Sequence, residues 1–298
     1  MKIRITGLLT LAFFLNSCGS APEPQSAKPV ARNSVNSDVI ADDDQNESYD
    51  DRDSTDSDDD LNDVVERPED DETVVDNNVV PAIKSAKWHS LLLTGDNSIN
   101  AFDNAREKIG SLLVSAGVAA QNILNLSVMA KKINGSSVKK TSLAQIEDSL
   151  KGVGQDDRCF VHMTSHGSRT GFYLVNQGEI SPTELDGVLN RTCGSRPTVL
   201  LISACYSGIF SNSSAMRKPN RIILTAARPD RTSFGCGAEN QYTYWDSCLI
   251  ESMTKVKSWN DLYTTTTACV RRKEQGGFTP SEPQLYIGDQ VKDLPYIF

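Results

Sequence analysis

Two unbroken apolar runs constrain the fold of this chain more than any other feature of its sequence: "RCFVHMTS" at 158–165 and "PTVLLISA" at 197–204. Continuous hydrophobicity of this kind is typical of central strands in a parallel sheet, because both faces of such a sheet are covered. Further strand-like runs alternate with helical patterns from Trp88 onward. We therefore expect an α/β fold, a three-layer α/β/α sandwich around a mostly parallel sheet of about six strands.

The period of the apolar residues predicts the individual elements. Strands are expected at 88–94, 121–127, 158–165, 197–204, 220–227 and 284–288. Helices are expected at 100–117, 141–153, 181–192, 244–257 and 258–275. The helix at 181 has the clearest start, because Ser181 is a favourable N-cap, Pro182 takes the first helical position and Glu184 completes a capping box.

The first 17 residues are predicted to be an export signal rather than part of the fold. Lys2 and Arg4 precede an apolar stretch at 7–15, which is too short to span a bilayer as a permanent helix. The stretch "LNSC" resembles the bacterial lipoprotein box, which implies cleavage before Cys18 and lipidation of that residue. Gly19 replaces the Asp that would retain a lipoprotein in an inner membrane. We expect an exported, lipid-anchored protein of the bacterial cell envelope, with the outer membrane favoured; an ordinary secretory signal with an incidental Cys is the alternative.

Residues 18–80 are predicted to form an acidic tether between the lipid anchor and the folded part. Between 41 and 72 there are seventeen Asp or Glu residues against two Arg, which contribute about −15 to a formal net charge of −9. A stretch so poor in apolar residues cannot bury enough surface to offset its ordering entropy. The rest of the chain is mildly positive, but it has no Lys/Arg cluster that would indicate a nucleic-acid partner. We expect one folded domain at 81–298.

A thiol and an imidazole follow the two apolar runs. His166 comes after the first run in "MTSHG", and Cys205 comes after the second in "ISACYSG". Ligand sites in parallel sheets form where the carboxyl ends of strands meet, so neighbouring strands would bring these side chains together. A Cys thiol is activated as a nucleophile when a base removes its proton, as acyl transfer requires. Gly167 allows close backbone approach, and its N–H with that of Cys205 would form an oxyanion hole. The alternative is a buried Cys and a structural His.

The motifs around these residues resemble those of the legumain family of cysteine peptidases. "TSHGSRTGFYL" and "SACYSG" are similar to the His-Gly and Ala-Cys blocks of the family, and "LLLTGDNSINAFDNARE" is similar to its first strand and loop. "LTAARPDRTSFGC" is similar to the stretch after the nucleophile. The resemblance covers about 88–249. It implies the α/β/α sandwich that the family shares with caspases and gingipains, and cysteine peptidase activity.

The resemblance implies a catalytic role for four residues. Cys205 matches the nucleophile, His166 the general base and acid, and Gly167 the oxyanion glycine. Asn100 falls where the family has an Asn that orients the His, although the loop before it is one residue shorter here.

Five further positions correspond to the primary substrate pocket of the family. Thr232 and Ser233 match a pair of hydroxyl residues that line it, and Asp246 lies near the spacing of its acidic residue. Where the family has an Arg and a Glu that recognise a substrate Asn, this chain has Phe102 and Ser203. Because of these departures, the resemblance does not establish that the pocket prefers a substrate Asn. The pocket would admit a different residue, and a basic one if Asp246 points into it.

The other histidines and cysteines are assigned structural roles. His162 is expected to be buried in the sheet and bonded to a neighbour, and His89 is expected to be structural. No Cys and His spacing indicates a zinc site. Five cysteines remain besides Cys18 and Cys205, so the odd count leaves at least one outside a disulfide. Cys159, on a buried strand, is the expected one.

Together these features predict a membrane-tethered cysteine endopeptidase that acts through a Cys-His dyad and a thioester acyl-enzyme. The expected partners are a peptide or protein substrate and a membrane, and neither nucleic acid nor a cofactor is expected. A transpeptidase of the same fold is the alternative among enzymes, because legumain relatives also transfer the acyl group to an amine. The alternative of another class is a catalytically silent lipoprotein that binds peptides in its cleft.

Overall fold

The computed structural model describes residues 86–129, 132–133, 136–277 and 279–298. The predicted export signal, the lipidation site at Cys18 and the acidic tether lie outside these residues. The strands are β1 (Trp88–Thr94), β2 (Ile123–Ser127), β3 (Lys132–Ile133), β4 (Ser136–Ser137), β5 (Lys139–Lys140), β6 (Arg158–Thr164), β7 (Phe172–Leu174), β8 (Gly178–Ile180), β9 (Thr198–Ser203), β10 (Arg221–Thr225) and β11 (Gln284–Ile287). The helices are α1 (Asn100–Ser115), α2 (Leu143–Leu150), α3 (Pro182–Thr192), α4 (Gly208–Asn212), α5 (Tyr244–Met253) and α6 (Trp259–Lys273).

A seven-stranded sheet organises the described part of the chain. Its strand order is β11-β10-β9-β6-β1-β2-β5, and every neighbouring pair is parallel except β10 and β11. All six predicted strands belong to this sheet, and the two-residue strand β5 is the addition. The prediction of a mostly parallel α/β sheet is therefore confirmed.

Helices cover the sheet on both faces and make three layers. On one face, Val161 and Leu200 pack in an apolar cluster with residues of α2 and α3, among them Ile146 and Leu189. We call this side the α2/α3 face. On the other, which we call the α1/α5 face, a second apolar cluster joins strand residues to α1, α5 and α6. The alternation of side chains along β6 and β9 explains the two clusters, since successive residues point to opposite faces.

Side-chain caps fix the starts of four of the described helices: α2, α3, α5 and α6. At α3, the Ser181 hydroxyl accepts from the Glu184 N–H at 3.3 Å and the Glu184 carboxylate accepts from the Ser181 N–H at 2.9 Å, so the predicted capping box is confirmed. At α5, the Thr243 hydroxyl accepts from the Asp246 N–H at 3.0 Å. Such caps each contribute about 1 kcal/mol to stability. The cap at Thr243 also sets the position of Asp246 in the first turn.

Two disulfides join pairs of elements in the part of the chain that the structure describes. Cys159 at the start of β6 is bonded to Cys193 at the end of α3, with a Cα–Cα distance of 6.2 Å. Cys248 of α5 is bonded to Cys269 of α6, with a Cα–Cα distance of 5.6 Å. The prediction that Cys159 stays outside a disulfide is therefore wrong. Its side chain points to the α2/α3 face, where the last turn of α3 brings Cys193 within bonding distance.

Within the described ranges, no helix combines the length and the apolar character needed to cross a membrane.

Candidate active site

His166 and Cys205 follow two neighbouring strands. β6 and β9 pair in parallel with Thr164 opposite Ser203, and the Ser165 N–H donates to the Ser203 carbonyl oxygen at 3.1 Å. His166 lies two residues beyond Thr164, and Cys205 two residues beyond Ser203. Because side chains alternate along a strand, both leave the sheet toward the α1/α5 face. The condition for bringing the thiol and the imidazole together, that the two apolar runs form neighbouring strands, is therefore met.

Gly167 brings the backbones at the two strand ends into direct contact. A Cβ at this position would lie 2.4 Å from the carbonyl oxygen of Cys205 and 3.0 Å from the Cβ of Ala204. Backbone cannot yield to relieve such an overlap, so a side chain is excluded at this position. The glycine therefore holds the His166 segment directly beside the Cys205 segment.

The Cys205 thiol is enclosed by the chain segment that carries Ser233. The Ser233 N–H donates to Sγ at 3.3 Å, and Sγ lies 3.5 Å from the Ser233 carbonyl oxygen. Cys205 is only 2% exposed. This burial raises the pKa of the thiol, although the hydrogen bonds from Ser233 oppose the shift. The enclosed sulfur is therefore held as a thiol rather than as a thiolate.

The residue after Cys205 has an unusual backbone conformation. Tyr206 has a φ of 57°, in the left-handed region that costs a residue with a side chain about 1–2 kcal/mol. Its N–H donates to the Arg231 carbonyl oxygen at 2.8 Å, and the guanidinium of Arg169 lies 5.2 Å from the centre of its ring. The segment 231–233 therefore runs beside residues 205–206 and is held at both of its ends.

The imidazole of His166 contacts the loop between β1 and α1. Its Nε2 lies 3.2 Å from the Ser98 hydroxyl and 3.8 Å from Oδ1 of Asp96. The Phe102 ring packs edge-on against it with the centroids 5.3 Å apart, and the Tyr173 ring lies 6.4 Å away. Burial lowers the pKa of His166, and the Asp96 carboxylate opposes this shift.

A buried carboxylate lies between the two strands that carry the dyad. Asp246 is 0% exposed, and one of its oxygens, Oδ2, accepts from Ser203 at 2.8 Å, Thr164 at 2.9 Å and Thr243 at 3.0 Å. The other oxygen, Oδ1, lies 3.1 Å from Nε2 of His162. The expectation of a buried His162 bonded to a neighbour is confirmed. Thr164 and Ser203, each two residues before a dyad residue, are thus joined through one carboxylate.

The comparison that decides the family covers the site described above. The model of the family described as Peptidase C13 matches residues 136–289, which include both His166 and Cys205. The chain belongs to the Peptidase C13 family. It is therefore a cysteine-type peptidase, and the resemblance to legumains seen in its motifs is confirmed.

Comparisons with individual proteins add little to this C13 assignment. A crystal structure of caspase-1 from Spodoptera frugiperda is similar to this chain with a TM-score of 0.49 and 12% sequence identity, over 68% of this chain and 86% of the caspase chain. No curated protein sequence matches the chain.

Three of the residues expected in the C13 substrate pocket are closed off from solvent. Phe102 is 0% exposed and is packed on the His166 ring, and Ser203 and Asp246 bond to each other in the buried network. Their predicted contact with substrate is therefore corrected to an internal role. Ser233 contacts Cys205 directly, and Thr232 beside it is half-buried, so these two hydroxyl residues lie next to the Cys205 thiol.

The partner of His166 also differs from the sequence-based expectation. Asn100 is exposed at the first position of α1, and its side chain forms no hydrogen bond with any residue that the structure describes. The helix begins at this residue, and Ser98 and Asp96 of the preceding loop face the imidazole instead. Sequence reasoning missed both, although they follow β1 at the same edge of the sheet as the dyad.

Proposed function

We propose that this C13 peptidase is an endopeptidase in which Cys205 is the nucleophile and His166 is the general base and acid. The observation that carries the proposal is the pairing of β6 with β9, which brings both residues to one face of one sheet edge. The close approach of Gly167 to the Cys205 backbone supports it, because it places side by side the two residues whose N–H groups would form the oxyanion hole.

The proposed reaction proceeds through a thioester. Cys205 gives its proton to His166 as Sγ bonds to the scissile carbonyl carbon, and the carbonyl oxygen becomes an oxyanion. When the C–N bond breaks, His166 returns the proton to the leaving amine. Water then attacks the thioester and gives a proton to His166, and the carboxylic product leaves as Cys205 recovers its proton. Each N–H of the proposed oxyanion hole contributes about 3 kcal/mol to stabilising the tetrahedral species.

The electrostatics of the site favour an uncharged pair before substrate binds. Burial raises the pKa of the Cys205 thiol and lowers the pKa of the His166 imidazole, so both shifts oppose a thiolate-imidazolium pair. A neutral imidazole is able to accept a proton. We therefore propose that proton transfer accompanies attack on the carbonyl and that His166 acts as a general base.

The proposed specificity differs from a preference for Asn. Phe102 and Ser203 stand where legumains have charged residues that recognise the Asn amide, and both are buried here. The two carboxylate oxygens of Asp246 contact four neighbouring side chains, so the carboxylate is already hydrogen-bonded within the protein. The half-buried Thr232 is the remaining candidate for contact with the substrate side chain, since Ser233 is 5% exposed and lies against the Cys205 sulfur.

We further propose that the peptidase is exported and held at the bacterial outer membrane by lipid on Cys18. This proposal rests on the sequence alone: a short apolar stretch after Lys2 and Arg4, the "LNSC" motif, and an acidic segment after it. Radiolabelled palmitate should be incorporated into the wild-type chain in a bacterial host and not into Cys18→Ser. Equal labelling of the two chains would contradict lipidation at this residue.

Hydrolysis of a mixed fluorogenic peptide library by the full-length chain, under reducing conditions, tests the proposed activity. We expect cleavage by the wild type and a loss of about 10³-fold or more in Cys205→Ala and Cys205→Ser. The serine variant keeps the shape of the residue and removes the thiol. Activity retained in both variants would overturn the thiol mechanism.

The same assay separates the enzyme from its two alternatives. If added hydroxylamine or a peptide amine diverts the acyl group from water, the chain is a transpeptidase as well as a hydrolase. If neither product forms, while a peptide still binds the wild type and Cys205→Ala equally, the silent binding protein is favoured.

A further inference from the structure

We propose that Asp96, acting through Ser98, is the positioning residue of His166: it fixes the tautomer of the imidazole and stabilises its protonated form. The inference rests on the proposed function, because it concerns the same dyad. It assigns to the loop after β1 the role that the family places at the position of Asn100.

The loop that carries Asp96 is fixed to the strand that carries His166. The Gly95 N–H donates to the Thr164 carbonyl oxygen at 3.1 Å, and the Val175 N–H donates to the Gly95 carbonyl oxygen at 2.8 Å. A Cβ on Gly95 would lie 2.1 Å from the Tyr173 carbonyl oxygen, so this contact is between backbones. The Asp96 side chain therefore extends from a backbone that is hydrogen-bonded to two neighbouring segments, and it lies close to His166.

A chain of hydrogen bonds runs from the imidazole to the carboxylate. Nε2 of His166 lies 3.2 Å from the Ser98 hydroxyl, and that hydroxyl is bonded to Oδ1 of Asp96. The Ser98 N–H also donates to the same carboxylate oxygen at 2.6 Å. With the Ser98 hydroxyl donating to Asp96, its oxygen accepts the proton of Nε2. The neutral tautomer is then the Nε2–H form, and Nδ1 is the nitrogen that receives the proton from Cys205.

The charge of Asp96 matters when His166 becomes protonated. Asp96 is 7% exposed and its carboxylate lies 3.8 Å from Nε2, whereas the His166 side chain is 33% exposed, so water screens the pair only in part. The rings of Tyr173 from β7 and Phe102 from α1 also lie near the imidazole, and the Cys205 thiol follows the neighbouring strand β9. Among these groups, the carboxylate is the one that attracts an imidazolium. Asp96 thus offsets the cost of placing a positive charge on a half-buried ring.

Asp96→Asn separates this role from a structural one. Asn still accepts from the Ser98 N–H and hydroxyl, so the loop keeps its hydrogen bonds and loses only the charge. On the full-length chain, we expect kcat to fall about 100-fold with little change in KM. The acid limb of the pH profile should move to lower pH, because the imidazolium loses its neighbouring anion and the pKa of His166 falls further. Ser98→Ala should show a smaller loss of the same kind.

Two further variants in the same loop complete the test. Asn97→Ala, an exposed neighbour, is the matched control and should keep wild-type kcat and KM. Asn100→Ala tests the position that the family assigns to this role. A loss in Asn100→Ala as large as in Asp96→Asn, or an Asp96→Asn variant with an unchanged pH profile, would overturn the inference.

An NMR titration of the three histidines tests the inference without relying on peptide cleavage. The pKa of His166 should be lower in Asp96→Asn than in the wild type, whether or not either protein cleaves peptides. If activity does not depend on Cys205 but the pKa still falls, the proposed function is wrong and the electrostatic pairing holds. If activity depends on Cys205 and the pKa is unchanged, the pairing is wrong and the proposed function stands.

Discussion

Near its carboxyl edge, the central sheet is covered in different ways on its two faces. On the α2/α3 face, Met163 of β6 and Ile202 of β9 belong to a continuous apolar cluster that includes Phe210 of α4. On the α1/α5 face, the next residues along the same strands are Thr164 and Ser203, which donate to one buried carboxylate. Apolar packing is non-directional, whereas a hydrogen-bonded carboxylate fixes the positions of its donors. Packing on the α2/α3 face therefore contributes to stability without fixing direction, whereas the network on the α1/α5 face contributes to stability and also fixes the strand ends that precede His166 and Cys205.

The largest loss of stability is expected when the buried Asp246 carboxylate is removed. Asp246→Ala leaves buried donors on both β6 and β9 without their acceptor, so we expect a loss of about 3–5 kcal/mol in the free energy of unfolding. The activity of the molecules that remain folded should also fall, because Thr164 and Ser203 precede the dyad directly. Urea unfolding monitored by tryptophan fluorescence, with kcat/KM measured below the transition, checks both effects.

Leu200→Ala is the matched control for Asp246→Ala on the other face. It removes a buried side chain from β9 on the α2/α3 face, and we expect a loss of about 3 kcal/mol. The kcat/KM of its folded fraction should stay near the wild-type value. If both variants reduce kcat/KM alike, the two faces do not differ in the way described.

A smaller effect is expected when the disulfide on the α2/α3 face is removed. Replacing Cys159 and Cys193 together by Ala opens a link across 34 residues, which should cost about 3 kcal/mol or less. We expect stability to change and activity to stay the same, because the bond lies at the amino end of β6 whereas His166 lies beyond its carboxyl end. Thermal unfolding of the variant and the wild type measures the loss of stability, and kcat/KM per folded molecule shows whether activity changes. A fall in kcat/KM at a temperature where the variant is fully folded would contradict this separation.

The smallest effect concerns the rate at which the Cys205 thiol reacts with an alkylating reagent. Because burial raises its pKa, little thiolate exists at neutral pH, and iodoacetamide should label it at least about 10-fold more slowly than a free model thiol. The rate should rise as the pH approaches and passes 9, the ordinary value for the group. Mass spectrometry of the labelled peptide gives the rate at each pH. Rapid labelling with a midpoint below pH 8 would show a preformed thiolate instead.

The sequence was sufficient for the six main strands of the sheet, for five of the six described helices and for the placement of His166 and Cys205 at strand ends, because these depend on local patterns. The unbroken runs before His166 and Cys205 predict central strands, and the residue that follows a parallel strand lies at its carboxyl edge whatever the rest of the fold. Ser181 and Glu184 likewise act within one turn, so the capping box was readable.

Other features depend on contacts that sequence spacing does not determine. Asn100 matches the family by position, but the side chains that face the imidazole come from the loop before it. Asp246 and Ser203 match pocket positions, yet their exposure depends on how α5 packs across β6 and β9. The pairing of Cys159 likewise depends on where α3 ends, which lies outside any local pattern.

The enclosure of Cys205 beneath Ser233 also affects the redox chemistry of the domain. Thiol-disulfide exchange and peroxide oxidation both begin with a thiolate, and the buried thiol supplies little of it. One reduced sulfur is therefore able to coexist with the Cys159–Cys193 and Cys248–Cys269 bonds without scrambling them. The burial that holds Cys205 as a thiol therefore also keeps it reduced beside oxidised neighbours.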